Sequence, residues 1–113
     1  MPHKIEKPWG HELIWAQEPS YVAKMIYIKK GHRLSLQKHE RKSETIYILS
    51  GVMQLRHGDT IREMRPGDTS HIGPNTIHRF EAVEDTELVE VSTSDLDDVI
   101  RFEDDYERIE STS

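Results

Sequence analysis

The stretch that decides the fold reads "LSLQKHERKSETIYILSG", residues 34–51. An apolar start gives way to the polar run Glu40, Arg41, Lys42, Ser43, and then to Ile46, Tyr47, Ile48 and Leu49. Two such segments joined by a polar turn read as consecutive β-strands. Residues two apart on a strand share a face, so Gln37 and His39 point together while Leu36 and Lys38 point away. Residues 40–43 are too polar for a core and supply the turn. Glu44 opens the next strand and can stand opposite the Gln37/His39 face. An amide oxygen, an imidazole and a carboxylate thus converge on one point inside a barrel. These donors suit a divalent metal, zinc first, with manganese, iron, nickel or cobalt as alternatives. A fourth donor has to come from another strand, and His78, just after the turn Gly73-Pro74-Asn75-Thr76, is the candidate. His3, His11, His32, His57 and His71 are read as solvated, the ordinary state of a single histidine at a strand edge.

The rest of the chain is punctuated in the same way. Gly31, Gly51, Gly58, Pro66-Gly67-Asp68, Gly73-Pro74-Asn75 and Glu84-Asp85 separate short runs rich in β-branched and aromatic residues. These runs cover residues 21–29, 34–39, 44–50, 52–56, 60–64, 77–83 and 86–91. Many short strands with frequent turn signals predict an all-β sandwich or barrel. His57-Gly58-Asp59 reads as a hairpin turn, with glycine supplying the positive φ. Towards the C-terminus, Ser94 is placed to cap a short helical turn over 95–100 whose first turn carries acids. Residues 110–113 are expected to fray.

At 113 residues the chain has the size of one domain, taken as 1–113 with a core of about 7–108. Its net charge of -6, concentrated towards the C-terminus, argues against nucleic acid as a partner. The absence of cysteine rules out disulfides and thiolate metal sites. No apolar run approaches the roughly 20 residues of a membrane span and no signal-peptide pattern opens the chain, so no membrane is expected and a cytoplasmic location is the default. An apolar content of 35 % is low for a lone barrel and points to self-association as a homodimer.

The spacing Gly31-x5-Gln37-x-His39-x4-Glu44-x6-Gly51 resembles the first cupin motif, and "PGDTSHIGPNTIHRFEA" resembles the second, which supplies the last histidine. Two positions depart from the general pattern: Gln37 stands for the first histidine and Ala82 for an asparagine. The resemblance implies a single small cupin, a double-stranded β-helix or jelly-roll barrel, with a short C-terminal segment. A Gln, His, Glu, His set is similar to the metal site of phosphomannose isomerases. "KPWGHELI" and "VIRFEDDYER" look like the entry and closing signatures of the type II form, the cupin domain at the end of mannose-1-phosphate guanylyltransferases. Glu107 replaces a glycine of that signature, and Glu40 and Arg41 replace two further histidines. The guanylyltransferase part has no counterpart in this sequence.

That resemblance implies an aldose–ketose isomerase for a sugar phosphate, which moves a proton between C1 and C2 through a metal-stabilised enediolate. Lys24 shares strand parity with Ile26 and Ile28, so it faces inward, where a lysine is costly unless paired or used. It is the candidate base. The resemblance further implies that the closing segment covers the barrel mouth, with Arg101 holding a phosphate and Glu103 pairing with a base. Asp104, Asp105 and Glu107 read as solvated charges, Arg79 points to the opposite face from His78, and Trp9 reads as a packing anchor. Two other functions compete: a metal-dependent oxygenase, weakened by Gln37 in place of a histidine, and a non-catalytic sugar-binding or regulatory module.

Overall fold

The structure, a computed structural model, describes residues 2–106. The expected fraying of 110–113 and the end of the closing signature, Glu107 and Arg108, lie outside the described residues. Eleven strands follow one another: β1 (His3–Lys7), β2 (Gly10–Gln17), β3 (Val22–Ile28), β4 (Leu36–Lys38), β5 (Glu44–Ser50), β6 (Met53–His57), β7 (Thr60–Met64), β8 (Thr69–Ile72), β9 (His78–Ala82), β10 (Thr86–Ser92) and β11 (Ile100–Glu103). They form two antiparallel sheets, one in the order β1-β2-β3-β10-β5-β8 and one in the order β11-β4-β9-β6-β7. The chain is all-β, as the turn spacing requires. Among the described residues no helix is long and apolar enough to cross a membrane.

Period-2 alternation sets which face each strand buries. β5 buries Glu44, Ile46 and Ile48 and exposes Thr45, Tyr47 and Leu49. β6 and β7 form the expected hairpin, with His57 opposite Thr60 and the pair Gly58-Asp59 between them. Gly58 has φ +63 and Asp59 is not left-handed, the II′ pattern that matches strand twist. Gly51 is required more strictly: its φ is +89, and a Cβ there would lie 2.1 Å from the Asp85 carbonyl oxygen.

The barrel interior is divided along its axis. Trp9, Ile26, Ile28, Ile46, Ile48, Met53, Leu55, Met64, Ile72, Phe80 and Leu88 pack as one apolar cluster. Each inward row then changes character: Ile26 gives way to Lys24 on β3, Ile46 to Glu44 on β5, Leu88 to Glu90 on β10, and Phe80 to His78 on β9, all buried. One end of the barrel is therefore a hydrocarbon plug and the other an ionisable chamber.

Two expectations fail near the C-terminus. Residues 95–100 form turns rather than a helical turn, and Ile100 already belongs to β11. Ser94 donates to the Pro19 carbonyl instead of capping a helix, Asp95 lies 3.5 Å from Arg41, and Asp98 accepts from the backbone amides of Glu40, Arg41 and Lys42. The polar turn 40–43 is also less exposed than its composition suggests, because Lys42 is buried.

Candidate metal centre and pocket

Three ionisable groups meet in the chamber. His39 follows β4 directly, Glu44 opens β5 and His78 opens β9, and one ligand atom from each lies within 4.8 Å of the others. All three are buried. His39 Nε2 is 3.0 Å and His78 Nε2 is 3.5 Å from the same oxygen, Glu44 Oε1. The opposite ring nitrogens face backbone carbonyls: His39 Nδ1 lies 2.5 Å from the Asp98 oxygen and His78 Nδ1 2.9 Å from the Thr76 oxygen. A carbonyl only accepts, so each Nδ1 carries a hydrogen, and a ring bearing that one hydrogen turns its Nε2 lone pair towards the carboxylate. Acceptor then faces acceptor, which only a proton or a cation between them can satisfy. Among the described residues His78 Nε2 and Glu44 Oε2 are buried without a hydrogen-bond donor. Nitrogen-to-oxygen spacings of 3.0 and 3.5 Å are those of neighbouring donors around an ion about 2.1 Å from each. A histidine whose second nitrogen donates to a backbone carbonyl is the usual arrangement of a metal ligand. The donor set fits a divalent ion.

A cavity of about 280 Å³ opens beside this centre, walled among others by Trp9, Glu12, Lys24, Gln37, Lys42 and Arg101. Lys24 Nζ sits 3.1 Å from Glu12 Oε1 and 3.5 Å from Glu90 Oε2, and Lys42 Nζ is 3.3 Å from the same Glu90 oxygen. Burial lowers the pKa of the Lys24 ammonium, but the nearby Glu90 and Glu12 carboxylates outweigh it, and the net displacement is upward. Glu44 and Glu90 are buried carboxyls that act on each other. Burial together with the Glu44 charge pushes Glu90 up to about 8. Burial acts upward on Glu44 too, yet Glu90 beside it and the charge of Lys42 outweigh burial and hold it well below the carboxylate range. The pair therefore shares one proton near neutrality, carried by Glu90.

The family model for the mannose-6-phosphate isomerase C-terminal domain matches residues 1–104. The chain belongs to this family. Relatives include the xanthan biosynthesis protein XanB of Xanthomonas campestris, 30 % identical over 93 % of this chain but only 24 % of its own length. The mannose-1-phosphate guanylyltransferase RfbM of Salmonella typhimurium is 27 % identical over 88 % of this chain and 22 % of its own. The chain thus spans about a quarter of these relatives. Among solved structures, KdgF from Halomonas sp. superposes with a TM-score of 0.78 at 22 % identity, covering 84 % of this chain and 88 % of its own. A cupin-2 domain from Rhodospirillum rubrum reaches 0.80 at 13 % identity, covering 89 % and 75 % respectively. At such identities the likeness speaks for the fold: a small cupin.

Within this mannose-6-phosphate isomerase C-terminal fold, the residues singled out from sequence are mostly brought together. Gln37 is opposite His78 on one side and Arg101 on the other, lines the cavity, and accepts a hydrogen bond from Ser35 Oγ at 2.6 Å. Lys24 faces the chamber as parity required, although its displaced pKa keeps it an ammonium rather than a base near neutral pH. Arg101 lines the cavity, with Nε buried and unpartnered among the described residues. Trp9 is core and also touches the cavity.

Glu103 is the exception and corrects the expected catalytic set. A register shift on β11 places Arg101 opposite Gln37 but Glu103 opposite Leu36. That extra residue reverses parity, so Glu103 joins the outer face, where Arg79 lies 3.3 Å from it. Among the described residues its partner is Arg79 rather than a base in the chamber. Glu12, Lys42, Glu90 and Asp98 were missed. For Glu90 a signal existed in Lys24, because an inward lysine demands an inward carboxylate on a neighbouring strand, and Glu90 is its cross-strand partner.

Proposed function

We propose that this domain binds a divalent ion through His39, Glu44 and His78, with Gln37 as a fourth protein donor, and interconverts the aldose and ketose forms of a phosphorylated sugar. The observation that carries this reading is the pair of Nε2 lone pairs aimed at one buried carboxylate oxygen, beside a cavity that His39 lines together with Lys7, Lys24, Lys42 and Arg101. Family membership supports the reaction class. An ion held by these residues would supply positive charge that offsets the negative charge built up on substrate oxygen during proton transfer.

The chain's own residues supply the rest. Cavity-lining Lys7, Lys24, Lys42 and Arg101 outnumber Glu12 and Asp97, which favours an anionic substrate. Arg101, with a guanidinium nitrogen still unpaired, grips the phosphate. The Lys24 ammonium lowers the energy of an adjacent oxyanion, and Glu12, bonded to it, is the carboxylate placed to accept the carbon-bound proton. Apolar Trp9, Ile14, Leu34 and Val99 complete the wall and exclude water from the reacting carbons.

The test combines metal analysis with isotope exchange. About one divalent ion per chain is expected in wild type and none in His78→Ala. Metal-replete wild type should exchange solvent deuterium into C1 or C2 of mannose 6-phosphate or fructose 6-phosphate. Arg101→Ala should chiefly raise KM for the phosphorylated sugar. Stoichiometric metal in His78→Ala would refute the site. A metal-loaded protein that exchanges no deuterium into any hexose phosphate would reduce the domain to a binding module.

A further inference from the structure

The loop between β10 and β11 is stitched to the turn that follows His39. Asp98 Oδ1 accepts from the Glu40 amide at 3.0 Å, and Oδ2 from the Arg41 and Lys42 amides at 2.6 and 2.9 Å. The Asp98 carbonyl accepts from His39 Nδ1 at 2.5 Å. Thr93 and Ser43 exchange two more bonds, Thr93 N to Ser43 O at 3.0 Å and Ser43 N to Thr93 Oγ1 at 3.2 Å. Three successive amides closing on one carboxylate make a backbone anion nest. The same loop contributes Leu96, Asp97 and Val99 to the cavity wall.

One residue therefore controls two features of the centre. Its side chain fixes the backbone of residues 40–42, which sets where His39 sits and turns Lys42 inward to Glu90. Its carbonyl then fixes the hydrogen of His39 on Nδ1 and leaves the Nε2 lone pair on the side of Glu44, where an ion would be held between them. We propose that Asp98 is the positioning residue of the metal centre: its carboxylate anchors the turn so that its own carbonyl holds His39 in the tautomer and orientation that ligate. This rests on the metal reading above. The backbone carbonyl survives any substitution at 98. What a substitution removes is the nest that keeps that carbonyl in place, so the effect reaches the ion through His39 rather than by direct contact.

Titration of the metal-free full chain with cobalt(II), against a competing chelator and followed by visible absorption, separates this role from loop stability alone. Removing a partner that orients a ligand typically weakens metal affinity about 10- to 100-fold. Asp98→Ala should show a loss of that size, and its cobalt-saturated spectrum should differ in shape from wild type because His39 is no longer held. Asp98→Asn keeps an acceptor for part of the nest and should recover part of both. A merely structural role would lower the thermal midpoint of the metal-free protein and leave the saturated spectrum unchanged, which overturns the proposal. Wild-type cobalt affinity and spectrum in folded Asp98→Ala and Asp98→Asn also overturn it, and Asp98→Asn decides alone should the alanine variant not fold. Wild type that takes up no cobalt refutes the metal centre itself. Uptake abolished by His78→Ala but untouched at Asp98 refutes this inference only.

Discussion

Replacing Glu90 by glutamine should change how the stability of the metal-free protein depends on pH. Glu90 is buried, with Lys24 3.5 Å and Lys42 3.3 Å from one oxygen, and its proton is held up to about 8 by burial and by Glu44. Its folded pKa lies above its ordinary 4.5, so between those values the folded state binds more protons than the unfolded one. Stability then falls as pH rises through that window, by about 1.4 kcal/mol per pH unit where the proton is fully retained. From pH 5 to pH 8 the loss from this group is on the order of 4 kcal/mol, an upper figure because the lysines share the charge. Glu44 does not blur the window, since its depressed pKa confines its contribution to below its ordinary 4.5, and Lys24 is displaced upward from 10.5. Glutamine imitates the protonated acid in size and in its ability to donate to Glu44. Glu90→Gln should therefore match wild type at pH 5 and exceed it at pH 8. Urea unfolding of chelator-treated proteins at pH 5, 6, 7 and 8 measures this directly. Equal slopes for the two proteins, or a variant much weaker than wild type at pH 8, would show that Glu90 is an anion holding the lysines and would refute the shared-proton account.

Two further outcomes are expected. Gly51→Ala should destabilise the fold by more than about 1 kcal/mol, because it forces a side chain into φ +89 and against the Asp85 carbonyl; an unchanged urea midpoint would contradict this. We propose that the homodimer expected from composition forms through the outer face of the six-stranded sheet, where Trp15, Tyr47, Leu49 and Val91 are exposed, so Tyr47→Glu should shift sedimentation towards monomer. Monomer for wild type at micromolar concentration would rule that out.

Strands bounded by strong punctuation were legible to the residue: β5 and β7 run over 44–50 and 60–64, as the alternation and the flanking turns predict. β1, β2 and β8 carry no such frame, being polar or interrupted, and only their pairing partners make them strands. Within the site, Gln37, His39, Glu44 and His78 were readable because parity and turn position suffice to bring them to one chamber. Glu90 was hidden by its neighbours. Val89 and Val91 form the more apolar pair of β10 and suggest an inward face, yet Val91 is 46 % exposed and Leu88 and Glu90 point in. Asp98 was hidden for another reason. Its partners are backbone amides 56 to 58 residues away, and backbone groups leave no residue-type signal in a sequence. Glu103 was misplaced because one extra residue on β11 reverses side-chain parity, which no count of two can anticipate.

The axial division of the barrel has a consequence for how this protein can change. Hydrocarbon packing that resists unfolding is gathered in one half, around Ile26, Ile28, Ile46 and Ile48, while the titratable groups occupy the other. Substitutions in the chamber remove few aliphatic contacts, so their cost is set by charge balance rather than by lost volume. A chamber residue can be exchanged for another so long as a neighbour of matching sign changes with it, as Lys24 with Glu12 or Glu90. The aliphatic half then acts as ballast, letting the lining of the cavity drift towards new ligands while the strand order stays fixed.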